Sequence, residues 1–335
     1  MHLNFTLYGS QITYGWLPDG ATLIGGLEFV REAVRRGFRG AEIPARCLEN
    51  IPAADLTAIR ALADQHQLEI VISAFGTDVD YLTTMTKHAA TLGSTIVRTV
   101  VGGADYGGDR RMYAGGGWVP FMHGVRERLA QVLRTSERVG VSLAVENHQD
   151  VASEDLLWLC ESYDSAWFGV VLDAANPLAT GEHPITFAQK MLPWIKYLHM
   201  KDYTIHWTDE GYRLVRCPVG AGCIPFRELL PLLHAAGRGQ SASLELAALQ
   251  GRHVRIFASD WWPEYAERPA HELAETLDFV RRHARPATEE WRTPWELSQS
   301  PEAVAAYEER ELSESLSLCA ALTGDDAPLT ALSAH

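Results

Sequence analysis

Short apolar segments alternate with longer amphipathic segments along most of the chain. Each apolar segment has the composition of a strand that is buried on both faces. The eight strands that this pattern predicts are Leu3–Tyr8, Gly40–Ile43, Leu68–Phe75, Thr95–Val101, the apolar start of Val141–Asp150, Phe168–Asp173, Ile195–His199 and Ser241–Glu245.

The segments between the strands carry apolar residues three and four positions apart, as Leu82, Met85, Ala89 and Leu92 do, which is typical of one helix face. The other predicted helices are Leu23–Arg36, Ala54–His66, Phe121–Glu137, Ser153–Tyr163, Ile185–Leu192, Pro225–Ala236 and Ala270–His283. Alternation of this kind predicts an α/β protein whose residues 1–284 form a (β/α)8 TIM barrel.

The pattern changes after the eighth predicted helix. Residues 285–335 contain Trp291, Trp295 and one more amphipathic segment, Pro301–Leu322, followed by a tail, Asp325–His335, that we expect to be frayed. This predicts a C-terminal helical extension that packs on the barrel or on a neighbouring subunit. A homo-oligomer is therefore expected.

The composition of the chain disfavours several classes of binding partner. The formal charge of −14 disfavours binding to nucleic acid or to an anionic membrane surface. The five cysteines are scattered and form no CxxC pair, which is typical of reduced thiols in a cytoplasmic protein. No apolar run approaches the ~20 residues that span a bilayer, so no membrane association is expected.

Several predicted strands end on a residue that can bind a metal ion. These residues are Glu146, Asp173, His199 and Glu245. Side chains at the carboxyl ends of barrel strands converge on one rim, so we expect a shared divalent-metal site there. Three carboxylates and one imidazole suit Mn²⁺ best, with Mg²⁺ or Co²⁺ as alternatives.

The same rim offers groups for proton transfer. Glu146 and Glu245 are expected to act as an acid/base pair beside a carbonyl, while the metal ion stabilises the enediolate. His148 is a second candidate base, or else a histidine satisfied by a loop carbonyl. Lys201 is a candidate for polarising a carbonyl, unless it forms a salt bridge with Asp202 or Glu146.

Amides, aromatic rings and an arginine near the rim are candidate substrate contacts. Asn176 and Gln149 are suited to binding hydroxyl groups, and Trp16 and Trp118 to stacking on a sugar. Burial under the loops or at a subunit interface is the alternative for the tryptophans. Arg110 lies in a glycine-rich loop, Gly102–Gly117, which is either a mobile lid or a surface connection. This arginine would hold a carboxylate or remain solvated.

The motifs together resemble the xylose isomerase-like barrel superfamily. They are ENH at Glu146, VLDAANP around Asp173, HMKD at His199, the Gly-x-Gly at Gly220 and LEL around Glu245. The resemblance implies that the four residues above bind the metal and that the chain is a sugar isomerase or epimerase. A lyase is the alternative: a decarboxylase of a 3-oxo sugar acid, or a C-glycoside deglycosidase α subunit with a small second subunit. A non-catalytic sugar-binding barrel is the rival from another class.

One branch of this superfamily is disfavoured. Endonuclease IV places extra metal-binding histidines after three strands, where this chain has Ser73–Phe75, Val101–Gly102 and Asn176. No phosphate clamp is recognisable either. An unphosphorylated small carbohydrate is therefore the expected substrate.

Overall fold

The predicted eight parallel strands close into a barrel in the computed structural model, which describes residues 1–6, 8–15, 22–102 and 107–323. The strands are β1 (His2–Thr6), β2 (Gly40–Pro44), β3 (Glu69–Ser73), β4 (Ile96–Thr99), β5 (Ser142–Glu146), β6 (Phe168–Asp173), β7 (Ile195–Met200), β8 (Tyr203–Thr208), β9 (Gly211–Arg216), β10 (Ser241–Leu244), β11 (Arg252–Val254) and β12 (Ala284–Arg285). The barrel order is β1-β10-β7-β6-β5-β4-β3-β2.

The helices surround the barrel. They are α1 (Gly26–Arg35), α2 (Ala53–His66), α3 (Val79–Leu92), α4 (Trp118–Val139), α5 (Ser153–Tyr163), α6 (Pro184–Met191), α7 (Phe226–Ala235), α8 (Ala270–His283) and α9 (Pro301–Thr323). The barrel helices bury their apolar faces against the strands; in α4 these residues include Val125, Leu129 and Val132. The predicted (β/α)8 fold is thereby confirmed.

Strand register brings the candidate ligands to one rim. Asp173 is the register partner of His199, and His199 also pairs with Ser243 on the other side. Glu245 lies two residues beyond Ser243, where its backbone N–H donates to the Met200 carbonyl (3.0 Å). Because the strands are parallel, their last side chains face the same mouth of the barrel.

A four-stranded sheet, in the order β11-β9-β8-β12, stands beside the barrel. Its centre is the antiparallel hairpin β8–β9. The hairpin follows β7 directly and therefore starts at the rim that carries the site. Tyr203 and Arg252, which belong to this sheet, border the cavity described below.

The extension packs on its own barrel. Its helix α9 buries one face, formed by Val304, Glu308, Leu312, Ser315 and Cys319. The Glu308 carboxylate accepts hydrogen bonds from the backbone of Ile12 and Thr13 (3.1 and 3.0 Å). An oligomer built through this segment stays a prediction. Within the described ranges, no helix is both long and apolar enough to cross a membrane.

Some predicted boundaries shift at the rim. The first strand ends at Thr6 rather than Tyr8, and Glu245 follows β10 instead of ending it. At a barrel mouth the last residues leave the hydrogen-bonded ladder and turn toward the loops. Helix α4 begins at Trp118, three residues earlier than predicted, which moves this indole from the loop into the first turn of a helix.

Candidate metal centre and cavity

Four side chains form one buried cluster at the rim: Glu146, Asp173, His199 and Glu245. One ligand atom of each lies within 4.8 Å of all the others. Glu146, Asp173 and His199 are fully buried, and Glu245 is 4% exposed. These are the four residues that the sequence predicted as metal ligands.

The histidine ring of this cluster is oriented by a contact on the side away from the other three residues. His199 Nε2 lies 3.0 Å from Glu42 Oε2, and the Ser243 hydroxyl donates to the same glutamate. Nε2 therefore carries the proton that faces Glu42, and Nδ1 points at Glu146 (3.3 Å) and Glu245 (2.8 Å). Ligand histidines are commonly oriented by such a carboxylate.

The cluster fits a divalent cation. Asp173 Oδ2, His199 Nδ1 and Glu245 Oε2 are buried and lie close to charged neighbours, yet within the part of the chain that the structure describes none of them forms a hydrogen bond of normal geometry. Buried polar atoms are otherwise almost always hydrogen-bonded. Atoms that converge without bonding one another well are arranged as ligands are. Three oxygens and one imidazole nitrogen suit Mn²⁺, Mg²⁺ or Co²⁺.

Positive side chains balance the carboxylates. Lys201 Nζ lies 2.6 Å from Asp173 and also contacts Glu245, so its salt-bridge partners are not Asp202 or Glu146, the alternatives weighed from the sequence. Burial lowers the pKa of Lys201, but Asp173 and Glu245 outweigh it and hold the pKa well above its usual value. The ammonium group is therefore charged at neutral pH.

Arg98 is a second cation that the sequence reasoning missed. It projects from β4, forms a buried ion pair with Glu146 and donates to Ser73 Oγ (3.0 Å). Burial raises the pKa of Glu146, but Arg98 and His199 outweigh burial and hold it well below its usual value. Glu146 is therefore ionised and fixed in position.

A cavity of about 120 Å³ opens above the cluster. Its wall consists of Tyr8, Gly9, Gln11, Phe75, Arg98, His148, Gln149, Lys201, Tyr203, Glu245, Leu246, Ala248 and Arg252. Glu245 and Lys201 border this space, whereas Glu146 and Asp173 lie behind its surface. A small molecule in the cavity therefore meets Glu245 before it meets the other carboxylates.

Three of the predicted site residues, Gln149, Asn176 and His148, lie at or beside the cavity. Gln149 Nε2 donates to the Tyr203 hydroxyl (3.0 Å), which donates to Asn176 Oδ1 (3.3 Å). Asn176 in turn donates to Glu146 (3.4 Å). His148 lines the cavity, and burial lowers its pKa to about 4, so the ring is neutral at neutral pH.

Arg110 and Trp118, predicted to contact substrate, lie elsewhere. The Arg110 guanidinium is sandwiched between the rings of Trp118 (3.8 Å) and Tyr265 (4.0 Å) and pairs with Asp155 (2.5 Å). Only 1% of Arg110 is exposed, and neither residue borders the cavity. Next to the arginine, the Gly108 carbonyl accepts a hydrogen bond from the Tyr265 hydroxyl (2.6 Å), and the guanidinium pairs with a protein carboxylate instead of facing the cavity. Trp16 lies outside the described residues.

Glu42 and Arg98 share a signal that was available in the sequence. Each is a charged residue inside an otherwise apolar strand, in GAEIP and IVRT respectively. A charge at such a position must be paired inside the barrel, since burying it alone is costly. Its partner becomes identifiable only when the strands are arranged in order around the barrel.

Comparison with known proteins agrees with this architecture. A family model described as xylose isomerase-like TIM barrel matches residues 30–283. A 3-oxo-isoapionate decarboxylase of Pectobacterium atrosepticum is 23% identical over 270 residues, 80% of this chain and 87% of that protein. The uncharacterized protein YihM of Escherichia coli K12 is 31% identical over 109 residues, so the match spans 33% of that protein and 32% of this chain.

The fold is also found among solved structures. D-psicose 3-epimerase from Clostridium cellulolyticum H10, solved with D-tagatose, superposes with a TM-score of 0.57 at 14% identity, over 85% of this chain and 100% of that one. A likeness at this identity concerns the fold. The family model, in contrast, covers most of the chain, and the chain therefore belongs to the xylose isomerase-like TIM barrel family.

Proposed function

We propose that this chain is a divalent-metal-dependent carbohydrate enzyme that enolises a keto-sugar or oxo-sugar derivative, as sugar isomerases and epimerases do. One observation carries the proposal: the buried cluster of Glu146, Asp173, His199 and Glu245 lies at the base of a cavity of about 120 Å³. A bound divalent ion would stabilise the negative charge that develops on a substrate carbonyl oxygen.

The side chains around the cluster differ in their access to substrate. Glu245 borders the cavity, while Glu146 is buried behind it and paired with Arg98. We therefore assign the removal of the proton beside the carbonyl to Glu245. Glu146, the other member of the predicted acid/base pair, mainly holds the ion. His148, which is neutral and lines the cavity, is the candidate for the other proton transfer.

Lys201 has a supporting role in this mechanism. Its ammonium group contacts Glu245 and lies 2.6 Å from Asp173. A fixed positive charge beside the base favours the ionised form of the base and attracts an oxyanion. Lys201 is thus placed to stabilise the charge on the substrate oxygen in the transition state.

A lyase is the second candidate, because Arg98, Lys201 and Arg252 line the cavity. Arg98 and Lys201 are paired with carboxylates of the cluster. An ion bound by the cluster would share those carboxylates, so that the two cations could also hold the carboxylate of an acidic sugar. In a 3-oxo acid the electrons of the breaking C–C bond move to the carbonyl, carbon dioxide leaves, and an acid returns one proton to the enolate. The decarboxylase from Pectobacterium is a relative whose name describes this chemistry.

Metal binding tests the first part of the proposal. Purified protein is stripped with a chelator and reloaded with Mn²⁺, and the metal content per chain is measured. His199→Ala and the control His206→Ala, in hairpin β8–β9, are treated in the same way. We expect stoichiometric ion in the wild type and control, and its loss in His199→Ala. The ion should also raise the melting temperature, since it binds only the folded chain. Equal metal contents in all three proteins would contradict the proposal that the cluster containing His199 binds the ion.

A substrate screen tests the second part. The Mn²⁺-loaded protein is incubated in D₂O with neutral keto-sugars, 3-oxo sugar acids and oxo-glycosides, and the products are analysed by NMR. Deuterium beside the carbonyl without loss of carbon identifies an isomerase or epimerase. Release of carbon dioxide or of an aglycone identifies a lyase. A protein that binds these compounds but exchanges no proton with any of them is a non-catalytic sugar-binding barrel.

A further inference from the structure

The loop after β1 forms one wall of the cavity. Tyr8, Gly9 and Gln11 all line the space above the metal cluster. The loop continues into a single turn, in which the Tyr14 N–H donates to the Ser10 carbonyl (3.2 Å). A turn of this kind leaves backbone N–H groups at its start without a partner in the turn itself.

Helix α9 supplies that partner from the far end of the chain. The Glu308 carboxylate accepts from the N–H of Ile12 (3.1 Å), the N–H of Thr13 (3.0 Å) and the Thr13 hydroxyl (2.7 Å). Glu308 is fully buried. A carboxylate that accepts three hydrogen bonds from one turn fixes the position of that turn.

A second contact holds the loop closer to the cavity. Arg216, at the end of β9, donates to the Gly9 carbonyl (3.0 Å) and to Glu311 of α9 (2.6 Å). Gly9 also packs so tightly on Leu246 that an added Cβ would clash with it, and its φ is +98°. Gly9 is therefore fixed between Arg216 on one side and Leu246 on the other.

The same helix reaches the loop after β10. Ile12, Leu249 and Val304 form a small apolar cluster of their own. The Thr293 hydroxyl, in the segment before α9, donates to the Leu249 carbonyl (2.6 Å). Leu246 and Ala248 of this loop line the cavity as well. The C-terminal extension thus contacts two loops that pack on each other and line the same cavity.

We propose that α9 is a working part of the active site and that Glu308 is a positioning residue, which fixes the Gly9–Gln11 wall and so sets substrate affinity. The metal ligands lie on β5, β6 and β7 and just after β10, and none of them contacts Glu308. The effect should therefore appear in KM rather than in kcat or in metal binding. The predicted effect on substrate affinity rests on the proposed enzymatic function. The predicted effect on the position of the loop does not.

The test compares Glu308→Gln with Glu309→Gln, a neighbouring substitution whose side chain is exposed and pairs with Arg36. Hydrogen–deuterium exchange of the metal-loaded protein is followed over residues 8–15. We expect the amides of Ile12 and Thr13 to exchange about 10- to 100-fold faster in Glu308→Gln, and unchanged in the control. Mn²⁺ affinity should be equal in both variants.

With a substrate from the screen, Glu308→Gln should raise KM several-fold and leave kcat within a factor of two of the wild type. Faster loop exchange with unchanged KM would overturn the proposal, because α9 would then hold a loop that substrate does not use. Unchanged loop exchange would overturn it as well. If Glu308→Gln does not fold, Thr13→Val, which removes only the hydroxyl bond, gives the same two readouts. A failed substrate screen leaves the exchange result standing and counts against the enzymatic function alone.

Discussion

His199 Nε2 lies 3.0 Å from Glu42 Oε2, and this contact determines which nitrogen the ring presents to the cluster. Both side chains are fully buried. Since the carboxylate accepts the Nε2 proton, Nδ1 is the nitrogen that could offer a lone pair to an ion bound between Glu146 and Glu245. Glu42 thus orients the proposed ligand His199 without being a proposed ligand itself.

Replacing Glu42 by Gln is expected to weaken Mn²⁺ binding by about 10- to 100-fold, as is typical when the partner of a ligand histidine is changed. The amide can still occupy the space, but it no longer fixes the tautomer of the ring. Isothermal titration of metal-free protein measures the affinity. Glu69→Gln, at the opposite end of the neighbouring strand β3, is the matched control and should bind Mn²⁺ normally. Wild-type affinity in Glu42→Gln would mean that the ring is oriented by its packing alone.

Lys201 is expected to be most important in the metal-free protein. Lys201→Met leaves Asp173 and Glu245 buried without their counter-charge, which should lower the free energy of unfolding by about 3–5 kcal/mol. Added Mn²⁺ replaces that charge and should recover much of the loss. Urea unfolding with and without Mn²⁺ measures both effects, with Lys196→Met as control. A loss that Mn²⁺ does not reduce would show that the lysine and the ion do not share these carboxylates.

Arg110 is expected to contribute stability rather than catalysis. Arg110→Met keeps much of the apolar contact with Trp118 and Tyr265 but leaves Asp155 without its cation. The free energy of unfolding should fall by about 2–4 kcal/mol. Its exposed neighbour provides the control: Arg111→Met breaks surface pairs and should cost less than about 1 kcal/mol. Metal content should be normal in both. An Arg110→Met protein of normal stability would restore the substrate-binding role that the sequence suggested.

The fold and the ligand cluster were predictable because both follow from short-range patterns. Buried parallel strands appear as apolar runs, and Asp173 and His199 stand at the ends of such runs. The roles of Glu42 and Arg98 required the order of strands around the closed barrel, which no local pattern contains. Helical periodicity was equally uninformative about Glu308, because a glutamate on an amphipathic helix is normally taken to face solvent.

The substrate contacts were the least predictable part. A tryptophan or an arginine near a loop can have a packing role or a substrate-binding role, and only the tertiary structure distinguishes these roles. Trp118 occupies the first turn of α4, and Arg110 is buried between two rings. Gln149 and His148, by contrast, follow a strand directly, so their place beside the cavity follows from the strand itself.

Deuterium exchange by Glu245→Gln is the most direct test, since Glu245 is both a proposed ligand and the proposed base. In D₂O, with a substrate from the screen, the wild type should introduce deuterium beside the carbonyl. Glu245→Gln should retain much of its Mn²⁺ through the amide oxygen and exchange that proton about 10²–10⁴-fold more slowly. The exposed substitution Glu290→Gln should behave like the wild type. Near-wild-type exchange by Glu245→Gln at full metal occupancy would contradict the account and move the base to another residue.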